Sequence, residues 1–262
     1  AAFATTPFEA LPARSDAFET AKANDSAFAR FVRNNVRAHK QPGYGIVEVS
    51  LKAIDQTPGD ASHQQLDVLA DLAERYSLSD LRVTHVQNIV LPHVKLDDLP
   101  TVFAALQAAG LATPNIDLIS DIIACPGLDY CALANARAIP IAQDIARQFA
   151  DPDRAEEVGE LKIKISGCIN ACGHHHVAHI GVLGVDKKGE EFYQLSLGGS
   201  GAEDASIGKI LGPALPADKV AVAVDQLVGA YLDIRTDGER FLDTYRRVGL
   251  EPFKEAVYAQ AD

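Results

Sequence analysis

Four cysteines stand in two tight pairs, Cys125-x5-Cys131 and Cys168-x3-Cys172, with 36 residues between the pairs. A short interval lets two thiolates from one turn converge on one centre. A long interval brings in a second loop from elsewhere in the fold. Four thiolates are the usual ligand set of an iron–sulfur cluster. Soft thiolates also suit zinc, whose paired cysteines are typically about 2–4 residues apart, so an x5 gap is wide for a zinc knuckle. Ordinary buried cysteines are the third alternative. Pro126-Gly127 keeps the chain irregular after Cys125. Gly167 and Gly173 flank the second pair, where a missing Cβ allows tight turning and close approach of a cofactor. Backbone N–H groups in such loops can point at cluster sulfurs and tune them.

Other residues invite chemistry less strongly. His174-His175-His176 with His179 could join Cys168 and Cys172 in a zinc site. Consecutive histidines on a strand alternate faces, however, so they cannot all meet one metal. A structural role, or hydrogen bonding near a metal, is the plainer expectation. Gly198-Gly199-Ser200-Gly201 lacks the Lys and following Ser/Thr of a P-loop. Lys162 and Lys164 alternate on a predicted strand as a solvated face. Lys187-Lys188 falls in a predicted hairpin turn.

The elements that must position these residues follow from hydrophobic period. Residues 1–15 have no period and read as a tail or linker. Ser15–His39 carries a helical stripe (Phe18, Phe28, Phe31, Val32, Val36) that stops by Pro42-Gly43. Gly45–Lys52 alternates as a strand, His63–Tyr76 is an amphipathic helix, Leu81–Leu91 is a second strand and Asp97–Ala109 a second helix ending at Gly110. The βαβα order matches half of a ferredoxin-like α+β layer. Beyond it, Tyr130–Phe149 is helical by composition with a kink or restart at Pro140. Leu161–Ser166 is a strand running into the second cysteine pair. His179–Val185 and Glu191–Leu197 are strands joined by a turn, Ala217–Ile234 is a helix, and Glu239–Val248 and Glu251–Ala259 are short terminal helices. The expected organisation is 1–42 linker and helix, 43–111 ferredoxin-like half-domain, and 112–262 a mixed α/β domain around the cysteines.

Composition bounds the function. At 262 residues the chain is one large or two modest domains, given about 100–200 residues each. With 47% hydrophobic residues it has material for a core. A formal charge of −12 disfavours general binding to nucleic acid or an anionic membrane, which needs a basic surface. No apolar run reaches the ~18 residues of a membrane span. Four thiols in one 48-residue window are few for a disulfide scaffold, which points to a reducing, cytoplasmic setting. Met and Trp are absent. Without an initiator Met, Ala1 reads as a processed start or a cut inside a longer chain.

ACPGLDYC (124–131), ISGCINACG (165–173), HIGVLGV (179–185) and LSLGG (195–199) together resemble the C-terminal half of the sirohaem sulfite and nitrite reductases. That family's pattern is C-x5-C, a long gap, then C-x3-C. LRVTHVQN (81–88) resembles its cofactor-facing strand, and the likeness covers roughly 35–250. It is nearest to the bacterial assimilatory sulfite reductase haemoprotein (beta subunit). The resemblance implies an α+β protein in which the 112–262 domain binds both cluster and sirohaem. Cys125, Cys131, Cys168 and Cys172 would bind a [4Fe-4S] cluster, with Cys172 also bridging to the sirohaem iron. Asn170 and Gly173 would lie at the cofactor, Gly198 and Gly199 would let the backbone approach the macrocycle, and Arg82, Thr84, Gln87 and Asn88 would face it from the other unit. The implied reaction is six-electron reduction of sulfite to sulfide. The alternatives are nitrite reduction to ammonia, a non-catalytic iron–sulfur carrier, or a zinc-stabilised binding domain. The implied partners are sulfite or nitrite, an N-terminal half of the same enzyme, and a ferredoxin or flavoprotein donor. Val86 stands where the other half carries a basic residue, so no catalytic base or anion clamp is assigned here. This half alone is expected to be inactive.

Overall fold

The computed structural model describes residues 8–259. The chain divides into two units, one running to residue 53 and resuming at 61–116, the other comprising 54–60 and 117–262. The tail expected over 1–15 lies partly outside the described residues.

In the first unit, helix α1 (Asp16–Asn24) starts where Ser15 Oγ accepts the Phe18 N–H. The single helix expected across Ser15–His39 is broken. The Asp25 carboxylate accepts the N–H groups of Ala27 and Phe28 and so caps a new helix, α2 (Ser26–Asn35). The residues after it pair as strand β1 (Val36–Ala38) against β2 (Tyr44–Val49). Helix α3 (His63–Tyr76) opens with a capping box between Ser62 and Gln65. The strand expected over Leu81–Leu91 is instead a hairpin of β3 (Arg82–Val83) and β4 (Ile89–Lys95). Its turn is closed by Thr84 N–H to the Asn88 carbonyl (2.9 Å) and Asn88 N–H to Thr84 Oγ1 (3.0 Å). A polar residue at each end of the turn outcompeted the extended pattern. Helix α4 (Leu99–Ala108) follows, and Gly110 adopts φ +70 just past it. The antiparallel sheet has the order β1-β2-β4-β3. Val47, Val49, Leu91 and Val94 from the sheet pack with Phe28, Leu69, Leu72, Val102 and Leu106 from the helices.

The second unit begins with β5 (Ile123–Ala124) and returns through α5 (Ile139–Gln148) and α6 (Pro152–Val158) to β6 (Ile163–Ser166). The helix expected from Tyr130 begins only at Ile139. Pro140 sits in its first turn, where the missing N–H costs no hydrogen bond, so it starts the helix rather than kinking it. Strands β7 (Ile180–Lys187), β8 (Glu190–Leu197), β9 (Lys209–Ile210) and β10 (Leu215–Pro216) precede α7 (Ala217–Ile234), α8 (Phe241–Val248) and α9 (Glu251–Tyr258). The sheet runs β10-β8-β7-β6-β5, with β9 also on β8. β5, β6 and β7 are parallel, and β8 is antiparallel to β7. Val220, Val224, Leu227 and Tyr231 on α7 share a core with Ile141 and Ile145 on α5 and with Ile163, Ile165, Val182, Tyr193 and Leu195 of the sheet. Among the described residues no helix is long and apolar enough to cross a membrane.

Candidate metal and cofactor site

Parallel pairing decides where the cysteines go. Ala124 on β5 lies beside Ile165 on β6, and the Cys125 N–H extends the ladder to the Ile165 carbonyl (3.0 Å). Both cysteine loops therefore leave the carboxyl ends of adjacent parallel strands, the usual position of ligand sites in open α/β sheets. All four cysteines are unbridged thiols. Cys125 and Cys168 are buried, Cys131 is half-buried and Cys172 is exposed.

The loops are stitched together by backbone. Gly167 N–H donates to Cys125 Sγ (3.0 Å). The Gly167 carbonyl accepts from both Asn135 N–H (2.9 Å) and Ala136 N–H (3.0 Å), and Leu128 N–H donates to the Ala136 carbonyl (3.2 Å). These bonds hold 130–138 out of helix. Cys131 N–H is tied back to the Gly127 carbonyl (2.9 Å). In the second loop Ala171 N–H bonds the Cys168 carbonyl, and Ala171 itself sits at φ +56. A left-handed alanine is strained by about 1–3 kcal/mol, and such residues gather at ligand sites. Gly173 is buried against β6, where a Cβ would fall 2.0 Å from the Ile165 carbonyl oxygen. It serves close packing of the loop on its own strand.

Beneath the first loop lies a polar clamp. Glu191 on β8 accepts Arg137 N–H (2.7 Å) and Arg137 Nε–H (2.9 Å). The Tyr193 hydroxyl lies 2.8 Å from the Arg137 carbonyl and 3.0 Å from the same carboxylate. Burial opposes ionisation of Glu191, yet the Arg137 N–H and Tyr193 hydroxyl hold its pKa below the ordinary glutamate value. Burial, then Glu191, pushes Tyr193 well up, so its hydroxyl stays protonated. No motif marks these residues. They are found only through the β7–β8 register.

The histidines are not a ligand cluster. His175 and His179 are buried, and burial pushes both down to about 4. His179 Nδ1 accepts the Lys162 N–H (3.2 Å) and its ring stacks on Phe241. Among the described residues, no three His, Cys, Asp or Glu side chains are grouped to hold one metal ion. That holds for the four cysteines as well as for the histidines beside them. The donor set fits a multinuclear cluster: four thiols on two loops, with a backbone N–H aimed at one sulfur. The Cys loops also carry exposed apolar side chains, Ile169 at 83%, Tyr130 at 76% and Leu133 at 73%. Asn170, beside exposed Cys172, faces outward as well.

The remaining expected cofactor contacts fare differently. Gly198 has φ +85, and a Cβ there would strike the Tyr245 ring at 1.9 Å. At Gly199 it would strike the backbone of His176 and Ala178. Both glycines are used by the unit's own packing. In the loop that follows, Ser200 and Arg246 both bond Asp204, which leaves a carboxylate where a P-loop would need a cation. Of the strand lysines, Lys162 pairs with Asp117 and Glu160, while Lys164 is half-buried and its pKa is lowered by burial. In the first unit, Arg82 is exposed and bonds Asp80 through Nε (3.2 Å) and Nη2 (2.6 Å). His93 Nε2 lies 3.4 Å from the same carboxylate, and His93 Nδ1 lies 3.1 Å from His39 Nε2. Thr84 spends its hydroxyl on the N–H groups of Val86 and Asn88. Gln87 is half-buried at φ +60. Asn88 is turned inward, fully buried, and accepts the Leu51 N–H (3.2 Å). It braces the chain between Leu51 and the hairpin turn instead of presenting a donor to solvent.

Comparison with known proteins agrees with this architecture. The family described as "Nitrite and sulphite reductase 4Fe-4S domain" matches residues 116–262, and "Nitrite/Sulfite reductase ferredoxin-like half domain" matches 37–109. Similar proteins include "Sulfite reductase [ferredoxin] 2" of Mycolicibacterium paratuberculosis, 31% identical over 73% of this chain and 36% of the relative. Another is "Assimilatory ferredoxin-dependent nitrite reductase" of Haloferax mediterranei, 33% identical over 66% of this chain and 30% of the relative. The solved structure of the Mycobacterium tuberculosis NirA protein superposes with a TM-score of 0.69 and 26% identity, covering 84% of this chain and 41% of that one. The chain spans about a third of the length of these curated relatives. With more than half of its length matched by the 4Fe-4S family, this chain belongs to the nitrite and sulphite reductases, joining a ferredoxin-like half domain to a [4Fe-4S] domain.

Proposed function

We propose that this chain is the cofactor-holding part of a sirohaem sulfite reductase. In this role, Cys125, Cys131, Cys168 and Cys172 would hold a [4Fe-4S] cluster, with the Cys172 thiolate also shared with the sirohaem. The observation that carries the reading is the pair of cysteine loops leaving adjacent parallel strands with Gly167 N–H on Cys125 Sγ. When bound, the coupled cluster and sirohaem supply single electrons and an open iron face for a small oxyanion. The residues of the chain do the holding. Buried Cys125 and Cys168 anchor the inner side of the cluster, and exposed Cys172 is the thiol whose position suits sharing with a second metal. Exposed Asn170 would lie against the sirohaem, with exposed Ile169 on the same loop and Tyr130 on the other cysteine loop. Arg82, oriented by Asp80, is a charge-assisted donor suited to a sirohaem carboxylate. Gly173, Gly198 and Gly199 shape the loops around the site. Thr84, Gln87 and Asn88 fix the turn that follows Arg82.

No acid, base or anion clamp is assigned to this chain. Those groups belong to the N-terminal half, and the chain alone is inactive. The donor is a ferredoxin, in keeping with the names of the relatives, and the setting is cytoplasmic, in keeping with four thiols too few for a disulfide scaffold. Nitrite is the rival substrate, because relatives of similar identity are named for it. The test is turnover by the intact enzyme with reduced ferredoxin, comparing sulfite with nitrite. A higher kcat/KM for sulfite is expected; a preference for nitrite overturns the substrate. An optical spectrum without a Soret band and red sirohaem bands overturns the cofactor.

A further inference from the structure

The segment 134–138 bonds to the first cysteine loop and to the start of the second without contributing a ligand. The Ala136 carbonyl accepts Leu128 N–H from the first cysteine loop, and the N–H groups of Asn135 and Ala136 both reach the Gly167 carbonyl beside Cys168. Ala136 is fully buried, and Gly127, Gly167 and Gly184 all press against it so closely that a Cβ on any of them would lie within 2.5–2.9 Å of its atoms. The segment has no regular secondary structure of its own to hold it. At its far end Arg137 is gripped on both sides. Its N–H and Nε–H go to Glu191, and its carbonyl faces the Tyr193 hydroxyl. Glu191 and Tyr193 lie two apart on β8, on one face of a strand paired along its whole length with β7.

We infer that Glu191 and Tyr193 are positioning residues for the iron–sulfur cluster. They act through residues 134–138 and set how firmly the two cysteine loops hold their spacing. The inference rests on the [4Fe-4S] assignment. A carboxylate accepting both Arg137 N–H groups, with the one Tyr193 hydroxyl proton shared between it and the Arg137 carbonyl, is a stiff anchor, and groups that hold the loops around a metal typically change its retention by about 10–100-fold. Tyr193→Phe removes the hydroxyl without changing the ring. Glu191→Ala removes both acceptors, and Glu191→Gln restores one.

The test reconstitutes the full chain anaerobically with iron and sulfide, then follows cluster release to a ferrous chelator by loss of visible absorbance. Thermal unfolding of the cluster-free chain is measured in parallel. Glu190→Gln, at an exposed neighbouring position, is the control. The expected result is release about tenfold faster in Glu191→Ala and Tyr193→Phe, intermediate in Glu191→Gln and unchanged in Glu190→Gln. This ranking should hold at temperatures where every cluster-free variant is fully folded. Release rates equal to the parent's overturn the inference. So does acceleration seen only where the cluster-free variants begin to unfold. A parent chain that takes up no iron–sulfur cluster overturns the cluster assignment itself, which distinguishes the two failures.

Discussion

His179 ties the second unit's stability to pH. Its ring is buried against Phe241, and Nδ1 accepts the Lys162 N–H, so the neutral ring carries its proton on Nε2. Burial is the main reason its pKa falls to about 4. Glu160 and Asp204 pull it up, and Lys162 and Arg240 push it down. An unfolded histidine titrates near about 6.5. Above that value both states are neutral and pH has no effect through this group. As pH falls below it, the unfolded state takes up the proton first, so stability is lost progressively down to about 4. Integrating between about pH 7.5 and about pH 5 gives a loss of about 2 kcal/mol from His179 alone. His179→Asn keeps an acceptor for the Lys162 N–H and removes the titration. Because the chain has no Trp, urea unfolding is best followed by far-UV circular dichroism. The parent should lose about 2 kcal/mol more than His179→Asn over that pH interval. Equal losses would refute the assignment of a neutral, buried ring. His175, also lowered to about 4, is present in both proteins and cancels in the difference.

Other outcomes follow from the same geometry. Gly173→Ala forces a Cβ into the Ile165 carbonyl and should cost about 3 kcal/mol of stability in the same urea assay; an unchanged midpoint would contradict the packing. In the intact enzyme, Cys172→Ser should abolish magnetic coupling between cluster and haem, and coupling that survives by EPR would exclude Cys172 as the bridge. His39 Nδ1 lies 2.8 Å from the Gln41 N–H and 3.3 Å from the Gln41 carbonyl; the shorter contact favours Nδ1 as acceptor, with His39 donating from Nε2 to His93 Nδ1 and His93 from Nε2 toward Asp80. Nitrogen-15 NMR at mildly alkaline pH should show both rings as the Nε2–H tautomer. An Nδ1–H ring at either position would break the chain.

The parts of the fold with a strong period were legible from residues alone. Helices over His63–Tyr76 and Ala217–Ile234 run over the residues that their apolar stripes span. The cysteine spacing with its glycines pointed to a thiolate centre, although spacing by itself left zinc and plain burial open. Three elements depart from their sequence pattern. Asp25 caps a second helix inside a continuous apolar stripe, and Thr84 with Asn88 closes a hairpin inside a β-rich run. The segment after Cys131 has helical composition, but its backbone donors are claimed by Gly167. Local side-chain hydrogen bonds override the period in the first two places, and bonds to a residue distant in sequence override composition in the third. The inward turn of Asn88 and the packing of Gly198 under Tyr245 depend on tertiary neighbours that no motif encodes. The Arg137–Glu191–Tyr193 clamp is invisible for the same reason, since it exists only once β8 has found its register.

The central claim is that the four thiols hold one cluster. It is tested most directly by counting iron and acid-labile sulfide in the anaerobically reconstituted chain, with Mössbauer spectroscopy to define the irons. Four irons and four sulfides per chain are expected, in keeping with the 4Fe-4S domain, and substitution of Cys125, Cys131, Cys168 or Cys172 by Ser should each lower the count. A colourless protein holding a single zinc ion and no sulfide would contradict it.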